Sequence, residues 1–160
     1  MLFLLYQKPY DVQLSTSSEN EPNIEMIDVT NYSITQEGVS HIVKATKVLR
    51  FSKYDEFYNI DAIKKSKEYF LEKLKADRGK LVGDNLHLKG NVRYENSDYV
   101  KFKSEEVDYN LKTKIAKTDV DFTLENNRTI THGTSLLYET IEGKIYANNI
   151  KSRIEEENKR

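Results

Sequence analysis

The feature that most constrains the fold is an alternation of apolar and polar side chains in the second half of the chain. It is clearest from Leu86 to Tyr94, where Gly90 interrupts the pattern and the turn-forming residues 95–98 end it. Alternation with a period of two that stops at turn formers indicates a half-buried β-strand entering a hairpin. The same pattern recurs at 99–103, 116–124, 129–133 and 144–147. These segments predict an antiparallel meander with one apolar face.

The spacing of the turn signals extends this prediction to the fold class. Between residues 81 and 150 no connection is long enough for a crossover helix, so a parallel α/β sheet is excluded there. Between Ile24 and Phe51, β-branched and aromatic residues predict the first strands, with a turn at 35–38. Residues 61–76 fit either a helix or a strand, and strand is favoured for their second part. We therefore expect an all-β fold of the sandwich, barrel or jelly-roll type.

Length and charge narrow the class of protein further. A chain of 160 residues forms one domain with a real core. The 25 Lys and Arg residues balance 26 Asp and Glu, and the sequence has no sustained basic run, which argues against a nucleic-acid partner. The absence of cysteine excludes disulfides and zinc-thiolate sites.

The chain is predicted to have three parts. Residues 1–23 contain an apolar run, Met1 to Tyr6, and a polar linker. The run is far shorter than the roughly 20 residues of a membrane-spanning helix. It is interpreted as the end of a membrane anchor or, alternatively, as a short buried strand or frayed terminus. Residues 24–150 form the folded domain, and residues 151–160 form a polar tail.

No motif in the sequence predicts catalysis. The histidines lie far apart on different predicted strands: His41, His87 and His132. Asp119 and Asp121 share a strand face, but Val120 and Phe122 take the opposite, inward face, so the two carboxylates are expected in solvent. The glycines form neither a phosphate-binding loop nor a nucleophile elbow. The sequence therefore predicts no enzyme, no cofactor and no metal site.

The apolar phase of the strands is the candidate binding surface. It consists of Leu86, Leu88, Val92, Tyr94, Val100, Phe102, Val107, Tyr109, Val120, Phe122, Leu124, Leu136 and Tyr138. In a closed sandwich these side chains are only a core. In two splayed sheet halves they line a groove for lipid chains, which suits tyrosines because they combine an apolar ring with a polar tip. The alternation alone leaves both interpretations open.

Four segments taken together resemble the LptC family, a membrane-attached periplasmic component of lipopolysaccharide export. They are 86–92, 100–109, 118–122 and 130–138, and they include an L-x-G-N-V unit at Leu88 to Val92 and a G-x-x-L-x-Y unit at Gly133 to Tyr138. The resemblance covers about residues 24–150. It implies a single open β-jelly roll of V-shaped section on the periplasmic face of the inner membrane, held by one N-terminal helix.

The resemblance also implies a function in which the protein makes and breaks no covalent bond. The protein would accept lipopolysaccharide from an inner-membrane ABC transporter and pass it to a periplasmic bridge protein of the LptA type, with no cofactor. Lipid phosphates would meet Lys101, Lys103 or Lys114 at a rim. The bridge would add a strand to the last edge, predicted as Lys144, Ile145, Tyr146, Ala147, Asn148, Asn149 and Ile150, because no later β-like segment follows it. The alternative is a structural or adhesive β-sandwich with a closed core and no lipid ligand.

Overall fold

The computed structural model describes residues 19–66 and 70–156. All helices and strands in these ranges are β-strands. The strands are β1 (Ile24–Thr35), β2 (Gly38–Arg50), β3 (Asp55–Lys65), β4 (Leu71–Val82), β5 (Asn85–Asn96), β6 (Lys101–Asn110), β7 (Ile115–Thr118), β8 (Phe122–Asn126), β9 (Thr129–Gly133), β10 (Ser135–Glu139), β11 (Lys144–Asn148) and β12 (Lys151–Ile154). The all-β prediction is confirmed. Residues 61–65 and 71–76 belong to β3 and β4, so the strand interpretation of that segment holds and the helical one is wrong.

The strands form one antiparallel sheet in which β1 to β6 follow each other in chain order. Beyond β6 the sheet continues through two short series, β7–β10–β11 and β8–β9–β12. Both series start from β6, since β7 pairs with its residues 108–110 and β8 with its residues 101–104. Within the described ranges no helix could cross a membrane. The apolar run at Met1 to Tyr6 lies outside the described residues.

Two details of the strand prediction are wrong. The segment 116–124, expected as one strand, is interrupted at 119–121 between β7 and β8. Residues 151–154, assigned to a polar tail, form β12 and pair with β9. All four side chains of β12 are exposed, so main-chain pairing, and not side-chain burial, holds this strand in the sheet.

The interruption between β7 and β8 belongs to a line that crosses the whole sheet, here called the seam. Four seam residues have left-handed backbone angles, with φ between 47° and 52°: Asp28, Asn59, Asn91 and Asn149. Asparagine and aspartate tolerate this conformation better than other residues with a side chain. Three of them donate an amide hydrogen bond to a neighbouring strand: Asn59 to Thr46 at 2.9 Å, Asn91 to Asp77 at 2.8 Å, and Asn149 to Thr134 at 2.9 Å. Polar side chains thus stabilise the bend in each strand.

The seam divides the sheet into two leaves. The first leaf contains β7, β10 and β11, the second contains β8, β9 and β12, and β1 to β6 contribute to both. The buried core draws on both sides of the seam, with Val48, Leu86 and Leu88 from the first leaf and Ile60 and Val92 from the second. Among the described residues no other layer covers these side chains, so the two leaves bury them by folding onto each other. The result is the open jelly roll that the sequence predicts.

Candidate lipid-binding groove

One margin of the folded sheet carries a row of partly buried apolar side chains. On the second leaf, Leu74 of β4 lies opposite Tyr94 of β5, Tyr94 opposite Phe102 of β6, and Phe102 opposite Leu124 of β8. All four are half-buried, whereas Val92, closer to the seam, is only 1% exposed. This row therefore lies between the dry core and solvent.

The first leaf carries the matching row. Leu81 lies opposite Leu86, Leu86 opposite Tyr109, and Tyr109 opposite Ala116, which faces Tyr138 on its other side. Leu86 is buried and the other four are half-buried. The row on the second leaf lies farther from the seam than the buried core of that leaf, and the row on the first leaf lies farther from the seam than buried Leu88. They form the two margins of the candidate groove.

Tyr94 and Tyr109, one on each margin, have a pKa raised above that of a tyrosine in water. Burial raises the pKa of Tyr94 far above its usual range, and the charges of Glu72 and of Tyr138 on the opposite leaf add to the rise. Its hydroxyl donates a hydrogen bond of 2.9 Å to the Glu72 carboxylate. Burial likewise raises the pKa of Tyr109. Both phenols therefore stay neutral and present apolar rings with a satisfied polar tip.

The structure separates the thirteen predicted groove residues into two sets. Five are core side chains no more than 8% exposed: Leu86, Leu88, Val92, Phe122 and Leu136. Eight are half-buried: Tyr94, Val100, Phe102, Val107, Tyr109, Val120, Leu124 and Tyr138. The sets meet where the rings of Phe102 and Phe122 stack, with centroids 6.0 Å apart. The prediction missed Leu74, because the ambiguous helix or strand pattern of residues 61–76 hid the alternation there, and it also missed Leu81 at the end of β4.

The predicted docking strand lies at one edge of the sheet. β11 pairs with β10 and with no other strand in the described ranges, and β12 continues the same edge past Asn149 and Ile150. Ile145 and Tyr146 are 52% and 56% exposed. The expectation that no strand follows residue 150 is wrong, but the edge itself is open along both β11 and β12.

The three histidines singled out in the sequence each contact a neighbouring side chain. His87 contacts Asp108 at 2.6 Å, His132 contacts Thr123 at 3.0 Å and His41 contacts Ser40 at 2.9 Å. Asp119 is exposed and pairs with Lys117 at 2.7 Å, and Asp121 is exposed as well. Residues 19–66 and 70–156 contain no cluster of three or more His, Asp or Glu able to hold a metal.

An open antiparallel jelly roll with an apolar inner face defines the class of this protein. Its sequence matches the family described as "Lipopolysaccharide-assembly, LptC-related" over residues 1–146, and the chain therefore belongs to that family. Membership assigns it a role in lipopolysaccharide transport in the cell envelope.

One similar solved structure is LptH from Pseudomonas aeruginosa, described as the LptA homologous periplasmic component of the lipopolysaccharide transport device. The alignment has 12% sequence identity and a TM-score of 0.43, and it covers 88% of this chain and 100% of that one. No curated protein matches the sequence.

Proposed function

We propose that this protein is a non-enzymatic carrier subunit, which accepts lipopolysaccharide from an inner-membrane ABC transporter and passes it to a periplasmic bridge protein of the LptA type. The observation that supports this best is the pair of half-buried apolar margins, which border a dry core and which no other described element covers. An N-terminal helix would hold the domain at the periplasmic face of the inner membrane.

The margins supply what an acyl chain needs on leaving a bilayer. Each methylene group transferred from water to an apolar surface is worth about 0.8 kcal/mol, so a chain is released only to a comparably dry site. Phe102 and Leu124 on one margin, and Tyr109 and Tyr138 on the other, offer apolar surface that is already partly exposed. Leu88 and Val92, at 2% and 1% exposure, would contact lipid only when the leaves separate.

Transfer to the bridge would use the open edge of β11. An unpaired edge presents N–H and C=O groups in a row, which another strand can pair by main-chain hydrogen bonds. The added strand would extend both leaves, because β12 continues the edge of β11 across the seam. Acyl chains could then slide from one apolar inner face to the next without entering water.

Photo-crosslinking tests the groove. A photoreactive residue at Phe102 is expected to capture lipopolysaccharide, because this position is half-buried on the inner face of β6. The control is Lys117 of β7, which is exposed on the outer face of the first leaf and is expected to remain unlabelled. Equal labelling at both positions would contradict the groove. Absence of labelling at both positions in a folded protein would favour the closed β-sandwich without a lipid ligand.

A further inference from the structure

The outer face of the second leaf carries a line of mostly basic residues in register, here called the basic row. Its members are Arg93, Lys103, Thr123, His132 and Lys151, each opposite the next on neighbouring strands. They come from β5, β6, β8, β9 and β12, so at a strand spacing of about 4.8 Å the row is about 19 Å long. All of its charged side chains are exposed and point away from the groove.

The arrangement costs stability in the free protein. Arg93 and Lys103 lie directly opposite each other, and like charges in that position on adjacent strands are destabilising. The row two residues away avoids this cost, because Glu95 of β5, Lys101 of β6 and Glu125 of β8 alternate in sign. Glu95 also pairs with Lys73 of β4 at 3.5 Å.

The basic row has few compensating partners. Lys103 approaches Glu125 only at 3.7 Å. Arg93 and Lys151 make no ion pair with any residue that the structure describes. An external anion would relieve this repulsion.

A depression of about 730 Å³ opens over the basic row, and all five members line it. Hydroxyl and amide groups of Thr134 and Asn149 complete the wall on the side of the seam. Two carboxylates, Glu105 and Asp121, also line the depression. They lie two residues from Lys103 and Thr123, about 7 Å along the strands, and they offset part of the positive charge of Arg93, Lys103 and Lys151. Arginine, lysine and hydroxyl donors in one concavity are the groups that bind phosphate.

We propose that the basic row binds phosphate groups of the phosphorylated sugar headgroup of lipopolysaccharide. This inference rests on the proposed function, since it assigns the headgroup of the same lipid whose chains occupy the groove. The row reaches the open edge at Lys151 in β12, where the inner and outer faces of the sheet meet. Before a bridge strand pairs with β12, a lipid lying across this edge places its chains on the inner face and its phosphates on the basic row.

Two lysines on β6 give a matched test. Lys103 belongs to the basic row, whereas Lys101 lies two residues away on the same face in the row of alternating charge. Lys103→Gln is expected to weaken binding of intact lipopolysaccharide about fivefold, the usual effect of one cation facing lipid phosphates, and Lys101→Gln is expected to leave it unchanged. Glu105→Gln is expected to strengthen binding, because it removes a negative charge from the depression.

Further ligands identify the source of the phosphate. Chemically dephosphorylated lipopolysaccharide should bind the wild type and Lys103→Gln equally. The inference is overturned if Lys103→Gln and Lys101→Gln behave alike, or if dephosphorylation does not change binding. It is also overturned if inorganic phosphate alone or phosphatidylglycerol vesicles show the same affinity and the same dependence on Lys103. Labelling at Phe102 without any effect of Lys103→Gln counts against this inference alone, whereas a wild type that captures no lipopolysaccharide counts against the proposed function as well.

Discussion

Replacing Gly133 with alanine measures how tightly the second leaf is packed beside the groove. Gly133 of β9 lies directly opposite Phe122 of β8. A Cβ atom on Gly133 would lie 2.5 Å from Cε1 and 2.6 Å from Cζ of the Phe122 ring. Carbon atoms in contact normally lie about 3.5–4.0 Å apart, so the ring must move by about 1 Å. It has little room, because Phe122 is 3% exposed and stacks on Phe102.

Overpacking of this kind costs about 1–3 kcal/mol. For a domain of this size 1 kcal/mol corresponds to about 3 °C, so Tm is expected to fall by about 3–9 °C in thermal denaturation followed by circular dichroism. A double-mutant cycle with Phe122→Leu identifies the cause. If the ring is responsible, Gly133→Ala should cost at least about 1 kcal/mol less in the leucine background, as relief of the overpacking predicts. An equal cost in both backgrounds would refute the reasoning.

Two further predictions concern the open edge and a buried imidazole. Successive N–H groups of β11 point alternately toward β10 and toward the open edge. One of the two variants Tyr146→Pro and Ala147→Pro therefore loses a hydrogen bond to β10 and should unfold. The other should stay folded but no longer capture the LptA-type bridge protein in a pull-down. Wild-type capture by the variant that stays folded would contradict docking at β11. Burial, and then the charge of Lys64, lowers the pKa of His41, whose Nε2 is buried without a partner. The unfolded chain therefore binds the proton more tightly, and stability should be lost as pH falls below about 6.5. In urea titrations at pH 7.5 and 5.5, His41→Leu should reduce that loss, and an unchanged loss would contradict the assignment.

The fold class could be predicted because an antiparallel meander consists of hairpins whose pattern is local in the sequence. Each hairpin has its own alternation and turn, as in the segment around Leu88 that became β5. The break at 119–121 left no such signal, since Val120 and Phe122 keep the apolar phase across it. β12 left none either, because all four of its side chains are exposed and need no apolar alternation.

The candidate site could be predicted only in part, for a related reason. Alternation shows which face a residue occupies but not how far it lies from the seam. It therefore could not separate buried Leu88 from half-buried Phe102. The basic row could not be predicted from the sequence, because Arg93 and Lys151 are distant in sequence and only strand pairing brings them into one line. Notably, Lys101 and Lys103 are equivalent in the sequence pattern, and only their cross-strand partners distinguish them.

The seam also determines what kind of strand the open edge can accept. A flat edge pairs with any extended segment in several alternative registers, since each shift by two residues restores the same face. Here the edge is broken at Asn149, between β11 and β12, and its two halves belong to different leaves. A partner strand can follow both halves only if it carries its own bend at the matching position. In the proposed docking, the seam would therefore fix the register of the partner strand and exclude strands without a matching bend.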